Sequence, residues 1–213
     1  MWMEIAAGRL LQVVCAAALM AAGVNAHEIR PQSDPLQPEL TARPKLATIK
    51  RAPPIVLHDA QGRNVRLEDL HGRVILVSFI YTTCTTACPL LTERMAQLRD
   101  RLRSTGEWGS LVNFLSITVD PDRDSAEHLR DYAELFGDGD DAWRFLRDEP
   151  ERLRPVLAAY GEWIRPLADG ELDHPARLFL IDGQGNVREI YALSFFDERQ
   201  AFLDIHALIA ERH

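Results

Sequence analysis

Two cysteines, Cys84 and Cys88, sit in the stretch Phe79-Ile-Tyr-Thr-Thr-Cys-Thr-Thr-Ala-Cys-Pro89 with Thr85, Thr86 and Ala87 between them. On one face of a helix this spacing sets their Cβ atoms about 5–6 Å apart, whereas a disulfide prefers about 3.8 Å. The pair can close if Cys84 lies just outside the helix, so a modest backbone movement would separate reduced from oxidised forms. The same gap suits a metal bridged by two thiolates. Paired soft sulfurs favour Cu(I), and an added imidazole would also serve Cu(II). Cys88 abuts the predicted helix start, where unpaired backbone N–H groups favour thiolate over thiol, so Cys88 is the expected thiolate.

The flanking segments explain how such a pair would be held. Val74–Ile80 is apolar, β-branched and short, which predicts a central parallel strand. Leu91, Met95, Leu98 and Leu102 recur at helical spacing, and Pro89 suits a first helical turn. Further on, Leu111–Val119 reads as a second buried strand closed by Asp120-Pro121. Asp124-Ser125 can cap a helix reaching Phe136. Gly137–Asp141 is a turn, Trp143–Leu146 a short strand and Pro150–Tyr160 a short helix. Arg177–Asp182 is a third strong strand, Val187–Tyr191 its hairpin partner, and Asp197 caps a last amphipathic helix. Before all of these, Ile55–Leu57 and Asn64–Leu67 flank a turn and form a hairpin. The order predicts an α/β fold, a mixed central sheet flanked by helices on both faces with an N-terminal β-hairpin.

Candidate partners for the cysteines are few. His58, His71, His128 and His206 fall in the hairpin, a turn and two helices, and His27 and His213 lie at or near the ends, all positions that suit surface or packing roles. His174, in Asp173-His174-Pro175, precedes a core strand, and the proline biases it to extended backbone. It is either a solvated loop histidine or a ligand facing the cysteine loop. Asp120 closes the second strand at the carboxyl edge, the usual ligand side of open α/β sheets, where it either supports a ligand or forms a turn. Met95 is the sole methionine beyond the N-terminal apolar segment, which excludes a thioether copper-carrier motif.

Composition narrows the class. The 213 residues carry a net charge of −8 and no basic cluster, which argues against a nucleic-acid partner. Residues 1–26 read as a secretory signal, with Arg9, an apolar run and the exit Val24-Asn25-Ala26, or as an uncleaved membrane anchor. Residues 27–52 hold Pro31, Pro35, Pro38 and Pro44 without apolar periodicity, which predicts a proline-rich linker, and residues 53–213 form the folded domain. The expected location is the periplasm, with membrane attachment only if the first segment stays uncleaved. Past that segment the only thiols are Cys84 and Cys88, so each has just the other as an intramolecular partner.

The motifs Tyr81-Thr-Thr-Cys84-Thr-Thr-Ala-Cys88-Pro89, Ser116-Ile-Thr-Val-Asp120-Pro121-Asp-Arg-Asp124 and Asp173-His174, followed by Leu178-Phe-Leu-Ile-Asp182-Gly-Gln-Gly185, resemble those of the Sco/SenC family. These are thioredoxin-fold copper proteins linked to cytochrome c oxidase assembly. The resemblance implies a thioredoxin-like fold and makes Cys84, Cys88 and His174 the counterparts of the family's copper ligands. Many oxidase-assembly members carry Pro-Asp between the cysteines, where this chain has Thr-Thr-Ala. The implied activity is metallochaperone rather than enzyme, with copper as cargo and the apo copper-site subunit of an oxidase, or another exported cuproprotein, as client. A second reading is a periplasmic thiol–disulfide oxidoreductase that uses Cys84 and Cys88 as a redox pair on thiol–disulfide partners and does not need His174. A peroxiredoxin loop would place proline where Tyr81 stands.

Overall fold

The computed structural model describes residues 40–137 and 141–211. The expected signal, the linker up to Glu39, His27, His213 and residues 138–140 of the acidic turn lie outside the described residues. The described residues form ten strands and four α-helices: β1 (Lys50–Arg51), β2 (Val56–Asp59), β3 (Asn64–Arg66), β4 (Val74–Ile80), α1 (Ala87–Ser104), β5 (Val112–Thr118), α2 (Ala126–Leu135), β6 (Trp143–Arg147), α3 (Pro150–Tyr160), β7 (Arg165–Pro166), β8 (Leu172–Asp173), β9 (Arg177–Ile181), β10 (Asn186–Ala192) and α4 (Glu198–Ala210). Eight strands form one sheet in the order β1-β10-β9-β4-β5-β6-β2-β3, and β7 and β8 pair as a separate ribbon. The fold is thioredoxin-like, as expected.

Every residue of β4 and β5 is buried, which is why both segments read as unbroken apolar runs. They pair in parallel, with Ser78 opposite Ser116. β5 then pairs in parallel with β6. Both crossovers step across the sheet in the same direction, so right-handed connections put α1 and α2 on one face. Thr92 and Tyr132 share a 2.8 Å hydrogen bond there, and Arg99 of α1 donates to the Phe136 carbonyl at 2.8 Å. Beneath them Trp143 Nε1 donates to Ser116 Oγ at 2.9 Å, and Ser116 shares a 2.8 Å bond with Ser78, so the buried polar atoms under the helices are satisfied.

The opposite face is built on aromatics. Tyr160, from α3, packs against Phe79 of β4 at 5.5 Å and Phe179 of β9 at 5.0 Å between ring centroids. Its hydroxyl donates to the Pro53 carbonyl at 2.9 Å. β9 runs antiparallel to β4 with Ser78 opposite Leu178, so the exit of β4 and the lead-in to β9 share one sheet edge.

The folded part begins before the expected boundary at residue 53. Lys50 and Arg51 pair with Val187 and Asn186, Ile49 N–H donates to the Val187 carbonyl at 2.9 Å, and Ala52 N–H donates to the Gly185 carbonyl at 3.0 Å. These bonds cover the outer edge of β10, which would otherwise present open backbone groups. A strand of two residues is too short to show an alternation. At the far end of β9, Gly183 lies so near Gly72 that an added Cβ would meet its backbone at 3.1 Å, a contact that a larger residue could make only if that backbone shifted by a few tenths of an ångström. Ser125 caps α2 as expected, its Oγ accepting from His128 N–H at 3.1 Å, and Asp197 caps α4.

Phe79 is fully buried between two aromatic neighbours. Phe79→Ala is expected to lower stability in urea unfolding by about 3–5 kcal/mol, and a loss below about 1 kcal/mol would contradict this packing.

Candidate metal centre

At the carboxyl edge of the sheet, β4 hands over to α1 through Tyr81–Thr86. Cys84 lies in this loop, its N–H donating to the Tyr81 carbonyl at 3.3 Å, while Cys88 is already inside the first turn of α1. The geometry reverses the expected roles of the two sulfurs. Cys88 N–H donates to Cys84 Sγ at 3.3 Å, so the unpaired donors of the helix start act on the cysteine that precedes the helix. The Cys84 thiol is pulled down to about 5, chiefly by the hydrogen bond from the Cys88 thiol. The N–H groups of Cys88 and Thr86 add to this, against the opposing effect of burial, while the nearby Tyr81 hydroxyl gives its one proton to Glu171. The Cys88 thiol is pushed far up, first by the neighbouring Cys84 sulfur and then by burial. Cys84 is therefore the thiolate and Cys88 the proton holder, a correction of the sequence expectation. A residue's own position at a helix start does not tell which sulfur its N–H groups point at.

Tyr81 links the cysteine loop to the β7–β8 ribbon. Its hydroxyl donates to Glu171 Oε2 and accepts from Leu172 N–H at 3.1 Å. Thr85 Oγ1 donates to Glu171 Oε1 at 3.1 Å, so one carboxylate ties both ends of the loop. Burial and the Glu171 carboxylate push the Tyr81 phenol upward, which keeps it a neutral donor. Beneath the loop, Asp124 is fully buried and accepts from Thr82 N–H at 3.1 Å, from Thr82 Oγ1 at 2.5 Å and from the Thr118 hydroxyl. Burial raises its pKa. Asp120 takes the turn-forming role: its carbonyl accepts from Arg123 and Asp124 N–H at 3.2 and 2.9 Å, and its carboxylate pairs with Arg123.

His174 lies in the segment between β8 and β9, on the same edge. Its ring meets Tyr81 edge-on at 5.9 Å between centroids, and its side chain is only 4% exposed, so it is not the solvated loop residue of the alternative reading. Nδ1 accepts from Ala176 N–H at 3.3 Å and lies 3.5 Å from Glu162 Oε2. The structure thus brings Cys84 and Cys88 together and holds His174 against the tyrosine that also reaches Cys84. Among the described residues no three His, Cys, Asp or Glu side chains already converge as a metal site. The donors themselves suit a soft ion: one thiolate, one thiol and an imidazole whose Nε2 makes no hydrogen bond among the described residues. Three of the other described histidines have local roles, His58 pairing with Asp148 at 2.9 Å, His206 with Glu107 at 3.0 Å, and His128 Nδ1 lying 2.7 Å from the Arg123 carbonyl. Asp124, Glu162 and Glu171 were not legible as site residues, because none lies in a periodic segment or beside the cysteines in sequence.

The family model described as SCO1/SenC matches residues 46–210. A relative from Bacillus subtilis (strain 168), named SCO1 protein homolog, is 29% identical over 141 residues, covering 65% of this chain and 72% of that protein. The chain spans about half the length of two eukaryotic relatives that it also matches, 52% and 51%. Among solved structures, a SCO1/SenC family lipoprotein from Bacillus anthracis str. Ames superposes with a TM-score of 0.67 at 25% identity, covering 75% of this chain and 95% of that one. Bradyrhizobium japonicum ScoI, solved with copper bound, superposes with a TM-score of 0.62 at 27% identity, covering 74% and 99%. No helix among the described residues is long and apolar enough to cross a membrane.

Thiolate absorbance near 240 nm should rise through a midpoint at about pH 5 for one sulfur of the reduced protein, and the second should stay silent to pH 9. Because the Cys88 thiol is the largest cause of that depression, Cys88→Ala is expected to move the Cys84 midpoint upward; an unmoved midpoint would contradict the sulfur–sulfur hydrogen bond.

Proposed function

The chain belongs to the SCO1/SenC family, and from that premise we propose that it is an exported copper-binding protein that holds the ion through Cys84, Cys88 and His174 and delivers it to the copper site of an oxidase or another exported cuproprotein. The observation that carries the reading is the pair of buried sulfurs at the sheet edge, with the Cys88 N–H aimed at Cys84 Sγ at 3.3 Å, an arrangement that favours the Cys84 thiolate. Thiolate is the ligand form of cysteine, so Cys84 needs no proton removed before it binds. Cys88 keeps its proton mainly because that proton is shared in a hydrogen bond to the Cys84 sulfur. A bound cation would take the place of that proton and favour its release. His174 rests on the ring that also reaches Cys84, so completing the ligand set requires Tyr81 to yield. The copper bound by the Bradyrhizobium relative supports copper as the ion.

A second reading, a thiol–disulfide oxidoreductase acting on cysteines of a copper site or of other exported clients, is favoured by the same acidity split. An ionised nucleophile beside a protonated partner is the arrangement that thiol exchange uses. The two readings part at His174, which the redox role does not need. They also share the pair, since a disulfide between Cys84 and Cys88 leaves no thiolate for Cu(I).

In competition titrations of the reduced protein with Cu(I), Cys84→Ser and Cys88→Ser are expected to abolish tight binding and His174→Ala to weaken it at least tenfold. Unaltered affinity in Cys84→Ser would overturn the copper assignment. Full client maturation by His174→Ala, with copper binding lost, would make the redox role the function.

A further inference from the structure

The connection that follows α3 buries a carboxylate that the cysteine site does not explain. Gly161, in the left-handed region at φ 73, closes α3, and Glu162 N–H then donates back to the Leu157 carbonyl at 2.8 Å. This turn drives the Glu162 side chain inward until none of it is exposed. Its Oε1 accepts from Arg177 Nη2 at 3.2 Å, and Arg177 is anchored by donating to the Gly161 carbonyl at 2.6 Å. Oε2 has no hydrogen-bond partner among the described residues. The polar atom it approaches is Nδ1 of His174, 3.5 Å away, on a ring that is itself 96% buried, being 4% exposed.

We propose that Glu162 is a positioning residue for His174: Oε2 accepts the Nδ1–H of the imidazole and leaves Nε2 with the free lone pair that a metal ion needs. This inference rests on the reading of His174 as a ligand. Two neighbours of Nδ1 make opposite demands. Ala176 N–H, at 3.3 Å, asks for a lone pair, and the Glu162 oxygen asks for a proton. Leaving a buried carboxylate oxygen without a donor costs more than releasing one neutral backbone N–H from a long bond. The proton therefore belongs on Nδ1, and closing the gap by a few tenths of an ångström makes an ordinary hydrogen bond of about 2.7–3.2 Å. Carboxylates placed in this way fix both the tautomer and the orientation of a ligating imidazole.

The test begins without metal. Long-range 1H–15N correlation on the full chain, reduced and metal-free, should show His174 with Nδ1 protonated and Nε2 unprotonated, whereas protonation at Nε2 alone overturns the proposal. In Glu162→Gln, Arg177 retains the amide oxygen and the NH2 group faces Nδ1. The tautomer should flip, and the Cu(I) Kd should weaken by about 10–100-fold. In the His174→Ala background the same substitution should add nothing, and a full additional loss there would mean that Glu162 acts only on the fold. Should Glu162→Gln fail to fold, the tautomer of the unsubstituted protein still decides. Unchanged copper affinity in His174→Ala would remove His174 as a ligand, a failure separate from that of the tautomer.

Discussion

With Ser78 opposite Leu178, β4 leaves the sheet at the point where β9 enters it. Everything at the site depends on this antiparallel register. It brings a loop that ends at residue 86 and a segment that begins at residue 174 to one edge, although nearly ninety residues separate them. A slip of one residue would turn every inward side chain of β9 to the other face. The packing of Phe179 against Phe79 and Tyr160 stands against that slip.

On this scaffold the two sulfurs are made unequal. Burial alone would raise both thiols, and it does oppose ionisation of each. Hydrogen bonds decide between them. Cys84 collects the Cys88 thiol and two backbone N–H groups, whereas Cys88 donates to the resulting charge. The loop that carries Cys84 is held by Asp124 from below and Glu171 from the side, so the charge distribution is a property of the whole edge.

Much of this was legible in the sequence. The runs Val74–Ile80 and Leu111–Val119 are long and apolar enough to announce buried strands, and Ser125 and Asp197 mark helix starts because a short oxygen-bearing side chain at that position has one evident use. The cysteine pair and His174 stood out by type and by motif. Which cysteine ionises did not, because a helix start is read from backbone pattern while the direction of its N–H groups depends on how the preceding loop turns. β1 and the β7–β8 ribbon are two residues per strand, too short for any period, and the ribbon is what brings Glu171 to Tyr81. Glu162 is one acidic residue after a helix; only the left-handed turn at Gly161 sends it inward.

The central claim is that two sulfurs and one imidazole, distant in sequence but on one sheet edge, bind a single copper ion. X-ray absorption at the copper edge of the Cu(I)-loaded full chain tests it most directly. The account predicts two sulfur scatterers and one imidazole per copper, the imidazole signal vanishing in His174→Ala. A shell without sulfur, or one unchanged by that substitution, would contradict it.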